Sequence, residues 1–341
     1  MTSQKFVPNK KRAVTIQDVA KAAGISVSTV SRVLNGKADV AAATQARILA
    51  VIDELGYTSN LAARSMRSHR NNLIGLVVPD IGSPYSIEIM KGVNRAIAET
   101  DFDLLVFTTA DAQKTDALAH EQHYVSLLSN SITDGVLIAA SATETFVSHT
   151  PIVSIDPHAP NPDYPCTQGT NFEGAKKAVE YLLNLGHRRI GFITGRGDSH
   201  SAARRKEGYC AALKLAGIAV DDTLIAVGDY TTKTGERAAR QLLTLPKPPT
   251  AIFAVNDQSA IGVYQAAEKL GLSIPEDVSV IGFDNITEAQ YLGLTTVDQF
   301  LSEMGYTAVQ MLISLINHKP LEFQIHKMPA ELVIRKSCRR I

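Results

Sequence analysis

Residues 15–36 read TIQDVAKAAGISVSTVSRVLNG, and this stretch decides how the N-terminal end folds. Thr15 to Asp18 has the Ser/Thr-x-x-Asp/Glu spacing of a capping box, in which the threonine hydroxyl meets the amide three residues on. Ile16, Val19, Ala20 and Ala23 then recur at helical spacing. Gly24 stops the helix, because glycine takes the left-handed cap without a Cβ penalty. Ser26 is the next N-cap, and Val27, Val30, Val33 and Leu34 follow at helical spacing up to Asn35-Gly36. A third helix is expected from Ala42 to Leu55, carrying Ile48, Leu49, Val51, Ile52 and Leu55. Two helices joined by a short glycine turn and propped by a third make a helix-turn-helix.

Charge supports that reading. The chain has 341 residues and a formal net charge of zero, with 34 basic and 34 acidic side chains. Residues 1–72 hold eleven basic and four acidic residues, a net of +7, so the remainder carries −7. A basic head on an acidic body is expected of a nucleic-acid module joined to something else. Cys166, Cys210 and Cys338 are too few and too far apart for a disulfide framework or a CxxC metal knuckle. No apolar run reaches the ~20 residues needed to cross a bilayer. Residues 1–14 are basic without an apolar segment, so a cytoplasmic location is expected.

The body alternates apolar runs with amphipathic stretches. Strands are expected at 73–78, 103–108, 134–139, 151–155, 189–194, 250–255 and 278–283, and helices at about 84–99, 115–130, 172–185, 202–216, 232–244, 257–270 and 301–317. Apolar strands alternating with helices predict parallel sheets covered on both faces. The pattern breaks near Pro157–Thr170, which favours two doubly wound lobes around one cleft. The fold class is therefore α/β behind a helical head.

Further motifs follow in order: ELGYTSNLAARSMRS (54–68), GHRRIGFITG (186–195), SAARRKEGY (201–209), AIFAVNDQSAIG (251–262), SVIGFDN (279–285) and LTTVDQ (294–299). Together with 15–36 they resemble the lactose/galactose repressor (LacI/GalR) family over essentially the whole chain from Thr15. The resemblance implies a head, a hinge helix, and a two-lobed core similar to periplasmic sugar-binding proteins that dimerises and binds an effector. The expected division is a basic tail at 1–14, the DNA-binding domain at 15–58, hinge and linker at 59–71, and a core at 72–341. One lobe is expected at about 72–170 and 301–322, the other at about 171–300 and 323–341.

In a helix-turn-helix the N-terminal residues of the second helix meet base edges. Arg32 can donate to O6 and N7 of guanine, worth ~1–3 kcal/mol of discrimination, and Val27 and Ser28 point outward beside it. Thr15, Thr29, Ser31 and Asn35 are placed for phosphate contacts, which fix register. The hinge residues Asn60, Ala63, Met66 and Arg67 match the family's minor-groove helix, with Met66 where leucine usually wedges between base steps. Alanine stands where the third helix of the family usually has a Ser or Thr cap, a loss of ~1 kcal/mol.

Ligands of doubly wound sheets sit beyond the carboxyl ends of the strands. Asp80, Asp156, Asn256 and Asp284 lie there, and Tyr85 and Phe283 are candidates to stack on a ring. By the family pattern Arg205 and Gln299 are effector contacts, while Thr170 stands where an Asp is usual. Carboxylates and an amide suit vicinal hydroxyls, hence a sugar. Asp257 is expected to cap the helix after its strand.

Competing chemistry is thin. Gly195-Arg196-Gly197 is followed by His200 where a dinucleotide loop needs glycine, and His120-Glu121-Gln122-His123 lacks the HExxH register. No metal, cofactor or catalytic constellation is expected, so an enzyme is not. The expectation is an effector-responsive repressor acting as a homodimer on operator DNA. The alternative is a cytoplasmic sugar-binding receptor with a degenerate head.

Overall fold

The computed structural model describes residues 14–34, 40–55, 71–109, 117–130 and 132–341. The chain divides after residue 71 into two compact units.

The first unit contains α1 (Ile16–Ala23), α2 (Val27–Leu34) and α3 (Ala42–Leu55). The capping box forms: Thr15 N donates to Asp18 Oδ2 at 2.8 Å, and Asp18 N donates back to Thr15 Oγ1 at 3.4 Å. Gly24 ends α1 at φ 66°, and Ser26 Oγ accepts from Thr29 N at 3.1 Å to open α2. Val19, Ala20, Ala23, Val30, Val33 and Ile48 form the core of the head. The first turn of α3 closes on the carbonyl of Ala41, whose methyl offers no acceptor to the orphan amides.

The second unit holds two six-stranded sheets. The first contains β1 (Leu73–Val78), β2 (Asp103–Thr108), β3 (Gly135–Ala139), β4 (Ile152–Ile155), β5 (Cys166–Gly169) and β11 (Ile325–Met328), in the order β11-β5-β4-β3-β1-β2. The second contains β6 (Ile190–Ile193), β7 (Ile225–Ala226), β8 (Ala251–Ala254), β9 (Ser279–Phe283), β10 (Thr295–Asp298) and β12 (Glu331–Val333), in the order β12-β10-β9-β8-β6-β7. All pairings are parallel except that of β12 with β10. The doubly wound reading therefore stands with one antiparallel edge strand added.

Helices cover the faces: α4 (Pro84–Ile97), α5 (Ala117–Ser129), α6 (Asn171–Asn184), α7 (His200–Leu215), α8 (Thr232–Leu243), α9 (Asp257–Leu270), α10 (Thr287–Leu292) and α11 (Leu301–Ile316). The chain crosses between lobes three times, from β5 into α6, from β10 into α11, and from β11 into β12. The last crossing corrects the expected boundary at 323. Ile325–Met328 pairs with Cys166–Gly169 in the first sheet, so the switch to the second lobe comes after Met328. Helices α4 and α11 approach closely at Gly92, where a side chain would overlap the Ser302 carbonyl oxygen. That contact seats α11 beside the first sheet, with Met304, Ala308 and Leu312 in its core.

Candidate functional site

On the head, the buried face of α2 holds Val30 and Val33, which turns Val27, Ser28 and Arg32 to the surface. The hydroxyls of its first turn are already linked. Ser26 Oγ lies 2.7 Å from Ser28 Oγ and 2.8 Å from Thr29 Oγ1. Ser31 is half-buried. Thr15 Oγ1 donates to Asp18 Oδ2 at 2.7 Å, so its first duty is the cap. Asn35, Asn60, Ala63, Met66 and Arg67 lie outside the described residues.

In the core, Arg205 on α7 is the hub of a buried cluster, only 2% exposed. Its Nε donates to Asn171 Oδ1 and its Nη1 to the Val255 carbonyl, both at 2.7 Å. Nη1 also reaches Asp284 Oδ1 at 3.4 Å. Asp284 in turn accepts from Gln299 Nε2 at 2.7 Å. From the other lobe, Tyr85 Oη donates to Asp156 Oδ2 at 3.1 Å. Burial pushes Asp284 up to about 7 despite Arg205, and the neighbouring Asp156 carboxylate adds to that rise. Asp156 Oδ1 and Gln299 Oε1 are buried and accept no hydrogen bond. Backbone strain gathers at the same place: Asp156, Tyr230, Asp284, Asn285 and Phe300 all have φ between 48° and 108°. Non-glycine residues hold that conformation only where their surroundings over-determine it, and such residues cluster at ligand sites.

Five of the expected cleft residues thus converge: Tyr85, Asp156, Arg205, Asp284 and Gln299. Three others take different places. Asp80 is exposed and folds back onto Gly82 N at 2.8 Å. Phe283 is wholly buried, with the Arg205 guanidinium 3.7 Å above its ring, so that face is closed to a ligand. Asn256, rather than Asp257, caps α9, accepting from Ser259 N at 3.0 Å. Asp257 instead accepts from Ile286 N and from Thr296 Oγ1 across the sheet. Thr170 Oγ1 accepts from Ala330 N at 2.8 Å, tying two of the crossings together.

Three more residues join the cluster or stack at its edge without a sequence signal. Asn171 orients Arg205. His158 stacks on Tyr230 from the opposite lobe, ring centroids 5.9 Å apart, and burial lowers the imidazole to about 4, leaving it neutral. Tyr230 Oη pairs with Ser199 Oγ at 2.7 Å. The Pro-rich composition around 158 and the polar run after a two-residue strand gave no periodic signal for either ring.

Comparison with known proteins follows the same division. Residues 15–60 match the bacterial regulatory proteins of the lacI family, and residues 179–338 match a periplasmic binding protein-like domain. The HTH-type transcriptional repressor CytR of Escherichia coli (strain K12) is 34% identical over 340 residues, 97% of this chain and 98% of that one. The chain belongs to the lacI family. This lacI-family chain is also 34% identical to the ribose operon repressor of Escherichia coli (strain K12), over 95% of its length and 99% of the relative's. A lac repressor dimer bound to operator and the anti-inducer ONPF superimposes with a TM-score of 0.83 at 26% identity, covering 96% of this chain and all of that one. This lacI-family protein is a DNA-binding transcriptional regulator with an effector-type core, and not an enzyme. No helix among the described residues is long and apolar enough to cross a membrane.

Proposed function

We propose that this regulator represses transcription in the cytoplasm by binding a near-palindromic operator as a homodimer. A small hydroxylated molecule, a sugar or sugar derivative, enters the cleft between the core lobes and changes DNA affinity. The observation that carries the effector half is the pair of buried acceptors, Asp156 Oδ1 and Gln299 Oε1, beside the Arg205 hub. Buried polar atoms are nearly always partnered, so each exception calls for an explanation, and a bound ligand is one. Related solved structures include a CelR–cellobiose complex and an Enterococcus faecium regulator with bound ribose.

On the head, Arg32 and Val27 read base edges, Ser28 supports them, and Thr15, Thr29, Ser31 and Asn35 contact phosphates. The hinge residues Asn60, Ala63 and Arg67 lie along the minor groove, with Met66 as the wedge. Two-fold symmetry of the protein demands two-fold symmetry of the operator. The test is a gel shift on genomic fragments at two salt concentrations, with and without candidate sugars. A specific, salt-sensitive complex that responds to a sugar is expected, and its absence under all conditions refutes the repressor reading. Arg32→Ala is expected to lose ~1–3 kcal/mol of discrimination at one base pair per half-site. Equal weakening on every sequence would instead make Arg32 a phosphate contact.

A further inference from the structure

We propose that the cleft selects the unphosphorylated form of its effector: it takes a neutral molecule rich in hydroxyl or amino donors and rejects the phosphate ester of the same molecule. This rests on the effector reading above and adds a charge rule to it.

The groups facing one another in the cluster are two carboxylates, Asp156 and Asp284, and one guanidinium, Arg205. Both carboxylates are at least nine-tenths buried. Arg205 is already engaged on Nε and Nη1 by Asn171, the Val255 carbonyl and Asp284. His158 adds no charge at neutral pH. Arg196 acts on it from nearby, but is exposed and forms a bidentate pair with Asp198 at 3.0 and 3.2 Å. Among the fully buried side-chain atoms of this cluster, those left without a partner are acceptors, Asp156 Oδ1 and Gln299 Oε1. An acceptor is satisfied only by a donor, and a phosphate dianion offers none. It would also bring two negative charges beside buried carboxylates, where water screens them least. Hydroxyls of a sugar or of the ribose in a nucleoside supply the donors without the charge.

The test is thermal denaturation of the full chain at pH 8 against matched pairs: ribose and ribose 5-phosphate, glucose and glucose 6-phosphate, uridine and its 5′-monophosphate. At least one neutral member is expected to raise Tm in a saturable way, with its ester binding roughly hundredfold more weakly. The ribose and uridine arms separate a free sugar from a nucleoside as the source of the hydroxyls. Asp156→Asn is expected to narrow the gap between a parent and its ester, an effect that a merely structural role for Asp156 does not produce. An ester that stabilises as well as its parent overturns the proposal, and so does an absence of stabilisation across the neutral set. Should a neutral compound raise Tm and discriminate as expected yet leave operator binding unchanged in a gel shift, the charge rule stands and the allosteric repressor reading falls.

Discussion

Arg205→Ala is the obvious way to remove the effector response, and the structure says that it also damages the core. The side chain is 2% exposed and makes three hydrogen bonds, at 2.7, 2.7 and 3.4 Å, while covering the Phe283 ring. Breaking a buried ion pair from one side costs about 3–5 kcal/mol, because the remaining charge has no compensation. Against a typical total stability of ~5–15 kcal/mol, that is a large fraction. The cost should depend on pH. Burial raises Asp284 from an ordinary 3.8 to about 7 in the folded chain, and Arg205 is the main influence holding it down. Between those values the folded state keeps a proton that the unfolded chain has lost, so stability falls as pH rises through the window. Removing Arg205 moves the upper edge of the window higher, and the variant should lose more at pH 8 than at pH 5. Adding Asp284→Asn removes the stranded charge, and the double variant is expected to recover more than half of the loss with a flatter pH profile. Urea denaturation of the core followed by circular dichroism reads this directly; the chain has no tryptophan to report by fluorescence. A single variant that loses less than about 1 kcal/mol at pH 8, or a double variant no more stable than the single, refutes the ionic account of the hub.

Two further variants probe the packing of the first lobe and the clasp between the lobes. Gly92→Ala places a methyl against the Ser302 carbonyl oxygen, with backbone on both sides, and is expected to cost about 1–3 kcal/mol or more as α4 and α11 are forced apart; Gly197→Ala, which meets nothing within 4 Å, is the control and should leave Tm unchanged. Glu88 on α4 accepts from Thr287 N at 3.2 Å and from its Oγ1 at 2.8 Å, and Lys91 Nζ donates to the same hydroxyl at 2.9 Å, so one lobe clasps the start of α10 on the other. Glu88→Ala is expected to change global stability by less than about 1 kcal/mol while speeding hydrogen exchange at the 298–301 crossing, and unchanged exchange there would mean that the clasp holds nothing.

What the sequence made legible, and what it hid, divides on physical grounds. Strand β1 is LIGLVV, buried along its whole length, and such runs announce themselves. Strands β5, β10, β11 and β12 read CTQG, TTVD, IHKM and ELV, too short and too polar to carry a period. In β10 the polar residues are buried because their hydroxyls are bonded, Thr295 accepting from Arg335 N and Thr296 donating to Asp257. Those four strands flank the crossings, which is why sequence pattern alone places the lobe boundary several residues early. The same distinction governs the cleft. A polar residue ending a buried strand can reach the cleft, cap the next helix, or close a local turn, and residue type does not decide among the three. Asp284 reaches the cluster, Asn256 caps α9, and Asp80 turns back onto Gly82. Capping needs extended backbone at the residue before the first helical one. Asn256 has it, with φ −149° and ψ 173°, while Asp257 is already the first residue of α9. The order of the two residues, set by where the helix starts, therefore separates cap from core, and one residue of error in that start exchanges their roles.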